Sequence, residues 1–304
     1  MTESLDILLS IVTPSYNRAD RLRACYDSLL RQTEGKFEWI LVDDGSTDET
    51  EKTVASFSSK VFPIRYLKKE NGGKHTALNA AHPLIRGKYV LILDSDDTLS
   101  DDAVAVILEA WSEWENDPQV GIVTLLKGRD TDHPNCYVAD ENTPVDIMSY
   151  RRICPISNDA CEVIRAELFL RYPFPVFPGE RFLSEGALWN RVSFTHKCVY
   201  INRVVYLCDY LEDGLTKSGK ALRIRNPRGG MYTANLNMAA KNGWKRRVKN
   251  GLLFTCYGCF AKISPAEMAR NCDHVLLMYS CLPLGWLLHL YWGAKYGARK
   301  IRRK

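Results

Sequence analysis

A chain of 304 residues with 46% hydrophobic content can bury one large core, or one core and a smaller appended module. Its net charge of +5 conceals a division: residues 1–213 carry 23 Lys/Arg against 34 Asp/Glu, and residues 214–304 carry 18 against 2, so the last third faces something anionic, nucleic acid or an anionic membrane. Ten cysteines without regular spacing exclude a secreted disulfide framework, and Cys256-Tyr-Gly-Cys259 has no second pair to complete a zinc site, which leaves packed free thiols.

Thr2, Glu3, Ser4 and Asp6 precede an apolar run of only Ile7 to Val12, broken by Ser10; this is no secretory signal, and the expected start of the chain is in the cytosol. Ile7 to Val12 reads as a strand, stopped by Thr13-Pro14-Ser15. After the turn Tyr16-Asn17-Arg18, Asp20 caps a helix whose apolar positions are Leu22, Cys25, Leu29 and Leu30. Phe37 to Val42 is a second strand, ending in Asp43-Asp44-Gly45-Ser46. Asp48 opens a helix over residues 50–57, and Ile64 to Leu67 is the third strand. The turn Asn71-Gly72-Gly73-Lys74 leads into a helix over residues 75–85. Strand, polar turn and helix alternate, which predicts a parallel sheet with helices on both faces and ligands beyond the carboxyl ends of its strands.

The fourth strand, Tyr89 to Leu93, runs straight into Asp94-Ser95-Asp96-Asp97. Three carboxylates this close cannot all be desolvated as anions, so something positive must meet them. A divalent metal is the economical candidate, since Mg²⁺ takes one or two protein carboxylates and fills its other positions with water and phosphate. The plainer reading is a solvated loop in which Asp96 or Asp97 caps the helix that begins near Ala103. A helix over 104–114 and a strand over 120–126 follow. Residues 127–150 read as a loop-rich excursion, and Arg151 to Pro155 precede a short strand, Cys161 to Ile164, and a helix, Ala166 to Leu170. Pro173, Pro175 and Pro178 make a rigid loop before the helical stretch 180–191. Cys198 to Ile201 and Val204 to Tyr210 are strand-like. No tandem repeat and no low-complexity linker interrupts the chain.

With strand ends reading Thr-Pro-Ser-Tyr-Asn-Arg, Val-Asp-Asp-Gly-Ser-Thr-Asp and Leu-Asp-Ser-Asp-Asp in that order, the first half resembles the family 2 inverting glycosyltransferases of GT-A fold. The likeness is strong over residues 7–126 and weaker to about 212. It implies an α/β, GT-A-like, Rossmann-type and mainly parallel sheet flanked by helices in residues 1–213, split into a nucleotide-sugar half (1–126) and an acceptor half (127–213). By the same resemblance Pro14, Tyr16 and Asn17 line the nucleotide pocket, Asp44 hydrogen-bonds the base and Asp94 meets the ribose. Asp96 would hold Mg²⁺ or Mn²⁺ on the diphosphate with Asp97 close by, and Lys74 is placed to approach the phosphates or the donor sugar. The family's base is an Asp in a Glu-Asp pair shortly before Leu-Trp-x-Arg; here Ser184-Glu185 precedes Leu188-Trp189-Asn190-Arg191, so the resemblance puts Glu185 at the base position, with Glu180 as second choice.

Residues 214–304 read as a basic, helical, membrane-associating region. Residues 214–266 hold eleven Lys/Arg and no acid, with Tyr232, Trp244 and Phe254 interspersed, a pattern that nucleic-acid surfaces share. His274 to Trp292 is apolar but contains Pro283, which suits a segment lying in a bilayer interface with Trp286, Tyr291 and Trp292 as anchors; a buried helix pair is the alternative. Lys295, Arg299, Lys300, Arg302, Arg303 and Lys304 add attraction to anionic lipid. The expectation is therefore a metal-dependent enzyme, peripheral on the cytoplasmic face of a membrane, that takes a nucleoside diphosphate sugar and a polyprenyl-linked or other glycan acceptor and no nucleic acid. Two other classes fit the same fold, a sugar nucleotidyltransferase and a non-catalytic membrane adaptor. The first is disfavoured because no Gly-rich, Lys/Arg-bearing loop follows the first strand.

Overall fold

Apolar runs that do not alternate need cover on both faces of their sheet. Leu9–Ser15 (β1) and Phe37–Asp43 (β2) have that cover and are buried at every position. The computed structural model describes residues 6–148, 150, 160–208 and 215–297. The chain forms two compact units, Met1–Phe174 with Arg191–Tyr210, and Pro175–Asn190 with Leu211–Lys304. The segment 175–190, expected in the first domain, thus groups with the C-terminal region.

In the first unit β1, β2, Ile64–Lys68 (β3) and Tyr89–Ile92 (β4) pair in parallel in the order β3-β2-β1-β4. Leu22–Leu30 (α1), Thr50–Ala55 (α2) and Lys74–Ala81 (α3) return the chain between them. The chain steps outward from β1 to β3, then crosses back to lay β4 on the other side of β1. Strand order therefore reverses between β1 and β4, and in open α/β sheets ligands bind beyond the strand ends at such a reversal. Pro14 is tolerated in a central strand because β4 stays paired with β1 only as far as Val12, so no ladder bond from residue 14 to β4 is lost. On α1, Leu22, Cys25, Tyr26 and Leu29 are buried. Leu30, expected inside, is exposed, and Tyr26 takes the inward place, stacked 4.1 Å from Phe57. Asp20 makes no cap bond to α1, whereas Asp48 accepts from the Thr50 N–H at 3.1 Å and from its hydroxyl.

Past β4 the sheet becomes mixed. Thr98–Leu99 (β5), Val120–Asp130 (β6), His133–Pro134 (β7), Cys161–Arg165 (β8) and Lys197–Leu207 (β9) complete the order β3-β2-β1-β4-β8-β6-β9-β5, with β7 on β6. β8 runs antiparallel to both β4 and β6, while β6 and β9 are parallel. The loop expected from 127 starts later, because β6 continues to Asp130. The two strand-like stretches of 198–210 form one strand with an irregularity between them: opposite β6 the register passes from Thr124–Tyr200 to Leu126–Val204, and there the Asn202 side chain bonds the backbone of Val138 and the Glu141 carboxylate. Ala103–Trp114 (α4) and Ala166–Arg171 (α5) complete the unit. Residues 151–155 lie outside the described residues.

The second unit is helical: Gly186–Val192 (α6, extending two residues beyond the unit), Leu215–Arg225 (α7), Pro227–Asn237 (α8), Gly243–Phe260 (α9), Pro265–Arg270 (α10) and Val275–Gly297 (α11). Met231, Phe254, Tyr257, Met268, Met278 and Trp292 form its core. α9 and α11 run side by side in the same direction, meeting at Gly251 and Cys281, at Thr255 and Gly285, and at Phe260 and His289. A Cβ at Gly285 would overlap the Thr255 hydroxyl, so only glycine permits this approach. One side of α11 is buried, and the other exposes Leu276 (86%), Leu284, Trp286, Leu287 and Tyr291. Trp292, expected as an interfacial anchor, is instead packed inside against Tyr257. The basic residues 299–304 lie outside the described residues.

At the amino-terminal side of the first unit's sheet, Glu38 is wholly buried. It accepts from the Ser10 hydroxyl and the Arg86 N–H, both at 2.7 Å, and pairs with Arg65 at 3.0 Å. Removing one partner of a buried pair strands the other charge, at a cost of about 3–5 kcal/mol. Glu38→Ala should lower the urea midpoint of the first unit accordingly, and a midpoint within error of the parent would show that Arg65 finds water instead.

Candidate active site at the strand-end rim

Because β1 to β4 are parallel, their carboxyl ends lie along one edge, and four turns meet there: 13–18, 43–48, 69–74 and 94–97. Side chains stitch them together. Asn17 takes a left-handed φ of 51°, donates its N–H to the Ser46 hydroxyl at 2.9 Å and accepts from the Thr47 N–H at 2.9 Å. Asp43 accepts from the Ser46 N–H at 2.7 Å and the Tyr66 hydroxyl at 2.8 Å. Gly45, at φ +79°, lies so close to Asn71 that a side chain there would strike the loop.

Asp44 is buried and its carboxylate accepts four hydrogen bonds: from Lys69 Nζ (2.7 Å), the Gly72 and Gly73 N–H groups (3.0 and 2.7 Å) and Asn71 Nδ2 (3.1 Å). The acid expected to face a base is thus committed to holding the 69–73 loop, and it sets the position of Lys74 immediately after it. Tyr16 is 45% exposed at the end of β1, with its ring accessible. Pro14, two residues earlier in the strand, is buried.

The 94–97 turn is where the charges concentrate. Lys74 forms an ion pair with Asp94, and Arg18 reaches Asp96 at 3.8 Å. The Tyr206 hydroxyl accepts the Asp94 N–H at 2.9 Å and donates to Asp97 at 2.8 Å, bracing the turn from β9. Lys127 sits 4.0 Å from the Tyr206 ring centroid. Burial disfavours the charge on Asp94, but Lys74 and Lys127 outweigh it and hold the carboxyl below its ordinary range. Asp97 goes the other way: burial, and then the charge on Asp94, push it up to about 7 against the Tyr206 bond. Neither Asp96 nor Asp97 caps α4, whose N-terminal flank is Asp102.

Among the described residues no cluster of three or more His, Cys, Asp and Glu could hold a metal ion by itself. The donor set nonetheless suits Mg²⁺ or Mn²⁺: Asp96 offers hard oxygen atoms at a partly exposed position beside a second carboxyl, the arrangement of sites completed by phosphate and water. The Cys256 and Cys259 thiols are free, and burial raises both.

Glu185 belongs to the second unit, whereas the four rim turns belong to the first. It directly precedes α6, and its carbonyl accepts from the Leu188 N–H at 2.8 Å. Ser184, standing where the resemblance puts an acid, accepts the Gly186 N–H on its hydroxyl at 3.2 Å, as a helix-capping residue does. Glu180, the second choice as base, is engaged elsewhere: its two oxygens accept the Arg228 and Gly229 N–H groups at 2.7 and 2.9 Å, at the start of α8. Sequence reasoning missed Tyr206, Lys127 and Lys69 as members of the rim, and missed the pairing of Arg18 with Asp96. Tyr206 had one signal, a lone aromatic hydroxyl among buried valines, but nothing in that signal points 112 positions back to Asp94.

An acid whose pKa is raised on folding binds its proton more tightly in the folded chain, so its contribution to stability is present at low pH and falls as pH rises towards and through about 7. Melting temperature should therefore decline between pH 5 and pH 8, and Asp97→Asn should flatten that slope. An unchanged slope in the variant would place the titrating group elsewhere.

Residues 10–145 match the family model described as glycosyl transferase family 2. Glycosyltransferase GlyG of Streptococcus pneumoniae serotype 4 (strain ATCC BAA-334 / TIGR4) is 29% identical over 213 residues, which are 66% of this chain and 70% of that protein. S. aureus TarS 1-349, solved in complex with UDP-GlcNAc, superposes with a TM-score of 0.61 at 16% identity, covering 95% of this chain and 92% of TarS. The mannosyltransferase PcManGT from Pyrobaculum calidifontis, in complex with GDP-Man and Mn²⁺, gives a TM-score of 0.56 at 20% identity over 93% of this chain and 80% of its own. At such identities these structures speak for the fold, a mixed α/β sheet of GT-A type. The strand-end motifs, the parallel half of the sheet and the matched residues all fall on one stretch, so residues 10–145 carry the likeness to glycosyl transferase family 2.

Proposed function

We propose that this glycosyltransferase moves a sugar, with inversion, from a nucleoside diphosphate sugar to a hydroxyl of a lipid-linked acceptor, such as a polyprenyl-diphosphate-linked glycan, on the cytoplasmic face of a membrane. Cell-surface polysaccharide or glycolipid assembly is the setting. The observation that carries the reading is the convergence of Tyr16, Lys74, Asp94 and Asp96 on one strand-end rim at the reversal of strand order. UDP-GlcNAc on TarS and GDP-Man on PcManGT support a sugar nucleotide as donor, with a UDP-sugar favoured.

In this reading the exposed Tyr16 ring stacks under the base, with Pro14 as the floor behind it. Asn17 holds the β1 turn open, and Asp44 shapes the base pocket through the 69–73 loop. Asp94 takes the ribose, and Lys74 supplies positive charge to the diphosphate. Asp96, with Asp97 close by, holds Mg²⁺ or Mn²⁺, an ion family supported by the Mn²⁺ on PcManGT. A divalent cation there, when bound, offsets the negative charge that grows on the leaving diphosphate. Glu185 takes the proton of the acceptor hydroxyl as that oxygen bonds to the anomeric carbon, and the glycosidic electron pair departs with the phosphate oxygen.

The apolar side of α11 supports a membrane surface as partner. The helix is long and apolar enough to cross a bilayer by length and composition, and only 22% of its most apolar window is buried. Trp286 and Tyr291 stand on the exposed side, where interfacial anchors belong.

A thermal-shift screen of UDP-, GDP- and dTDP-sugars, with and without Mn²⁺, should raise the melting temperature for one nucleotude class only. Asp96→Ala should abolish transfer and leave the fold intact; full activity would remove Asp96 from the metal. Glu185→Gln should still bind donor while turnover falls about a hundredfold or more, as the loss of a general base predicts. Normal turnover in that variant would move the base elsewhere.

A further inference from the structure

We infer that Arg18 and Lys74 are counter-ions of the acidic turn that pass to the diphosphate when donor and divalent cation bind, which makes the two ligands assist each other. The inference rests on the sugar-nucleotide reading and adds to it a role for Arg18 and a thermodynamic coupling.

Asp94, Asp96 and Asp97 face three cations supplied by other segments: Lys74 on Asp94, Arg18 on Asp96, and Lys127 beside Tyr206. The turn is thereby near electrical balance within the chain itself. A divalent cation added alone leaves an excess of positive charge, and a diphosphate added alone leaves an excess of negative charge. Together they restore the balance, so each improves the other's affinity.

Geometry decides which cations can move. Lys127 lies over a buried ring, and Tyr206 is locked by bonds to both Asp94 and Asp97. Arg18 is held loosely: its Nε stands 3.8 Å from Asp96, its side chain is 43% exposed, and NH1 makes one long bond, 3.4 Å, to the Asn17 carbonyl. A cation taken up by Asp96 meets a guanidinium already on that carboxylate, and like charges at that distance repel, so Arg18 must leave. Its planar fork of donors matches a phosphate, and it follows the end of β1, the strand beside β4 where strand order reverses. Lys74, at the first turn of α3, stands in the same relation to Asp94.

The test uses the full-length chain and Mn²⁺ titrated by EPR, with and without saturating UDP, and with GDP in a parallel series. Removing a half-exposed competing cation should tighten Mn²⁺ binding to Arg18→Gln by about fivefold without nucleotide. With nucleotide bound, Arg18 has already left Asp96, so the Mn²⁺ affinity of the variant should equal that of the parent. Lys74→Gln should show the same pattern, and unchanged melting temperatures would show that both variants fold. Equal tightening with and without nucleotide would reduce Arg18 to a nearby repulsive charge and overturn the inference. So would an unchanged Mn²⁺ affinity in both states. If the parent binds neither UDP nor GDP, the sugar-nucleotide reading itself fails and the inference falls with it, a result distinct from either of the others.

Discussion

Three carboxylates at the end of a buried strand are the constraint on which the rest of the first unit depends. Left alone they would repel each other and resist desolvation. The protein answers with positive charge and hydrogen bonds drawn from four other segments: Arg18 after β1, Lys74 at α3, Lys127 on β6 and Tyr206 on β9. The contributions differ in kind. Lys74 and Lys127 keep Asp94 ionised, while burial and Asp94 together raise Asp97. One turn thus carries carboxyls of opposite tendency, braced by one phenol that accepts the Asp94 N–H and donates to the Asp97 carboxyl. Such splitting is how a cluster of acids is kept compatible with a folded, partly dry rim.

The sheet topology makes these donors available. Parallel strands β1 to β4 align the rim turns, but they do not themselves supply Lys127 or Tyr206. Those come from the mixed half, where β8 inserts antiparallel between β4 and β6 and lets β9 run parallel to β6. Lys127 and Tyr206 are register partners across that pair, which fixes the ammonium over the ring. The change from parallel to mixed pairing is therefore what completes the acidic turn from its far side.

The strand-turn-helix alternation and the acids at the strand ends were legible in the sequence because each is a local signal: a β-branched run, a capping residue, a carboxylate where the run stops. The pairing of those acids was not. Asp44 and Lys69, Asp96 and Arg18, and Asp97 and Tyr206 are joined only through the tertiary fold, and sequence spacing carries no trace of a hydrogen bond between them. Glu180 shows the same limit from the other side. As an acid near a helical stretch it looks available for chemistry, yet two backbone N–H groups at the start of α8 claim both its oxygens. Leu30 and Trp292 were misplaced for a simpler reason: apolar character does not say which side of a helix faces inward when a neighbouring aromatic competes for the place.

The grouping of residues 175–190 with the C-terminal helices bears on how the proposed base, Glu185, is held. Glu180 binds the first N–H groups of α8, the Arg181 N–H donates to Asn226 Oδ1 at 2.8 Å, and a Cβ on Gly229 would come within 2.9 Å of the Phe182 carbonyl. Three consecutive residues are thereby fastened to the start of one helix, and Glu185 follows within a turn of chain. α8 packs against α9, where a Cβ on Gly230 would strike the Tyr257 ring, and the neighbour of α9, α11, carries the exposed apolar side. A surface that engages α11 therefore acts on the same helical unit that carries the proposed base, and the acids of the rim are braced independently, through β9.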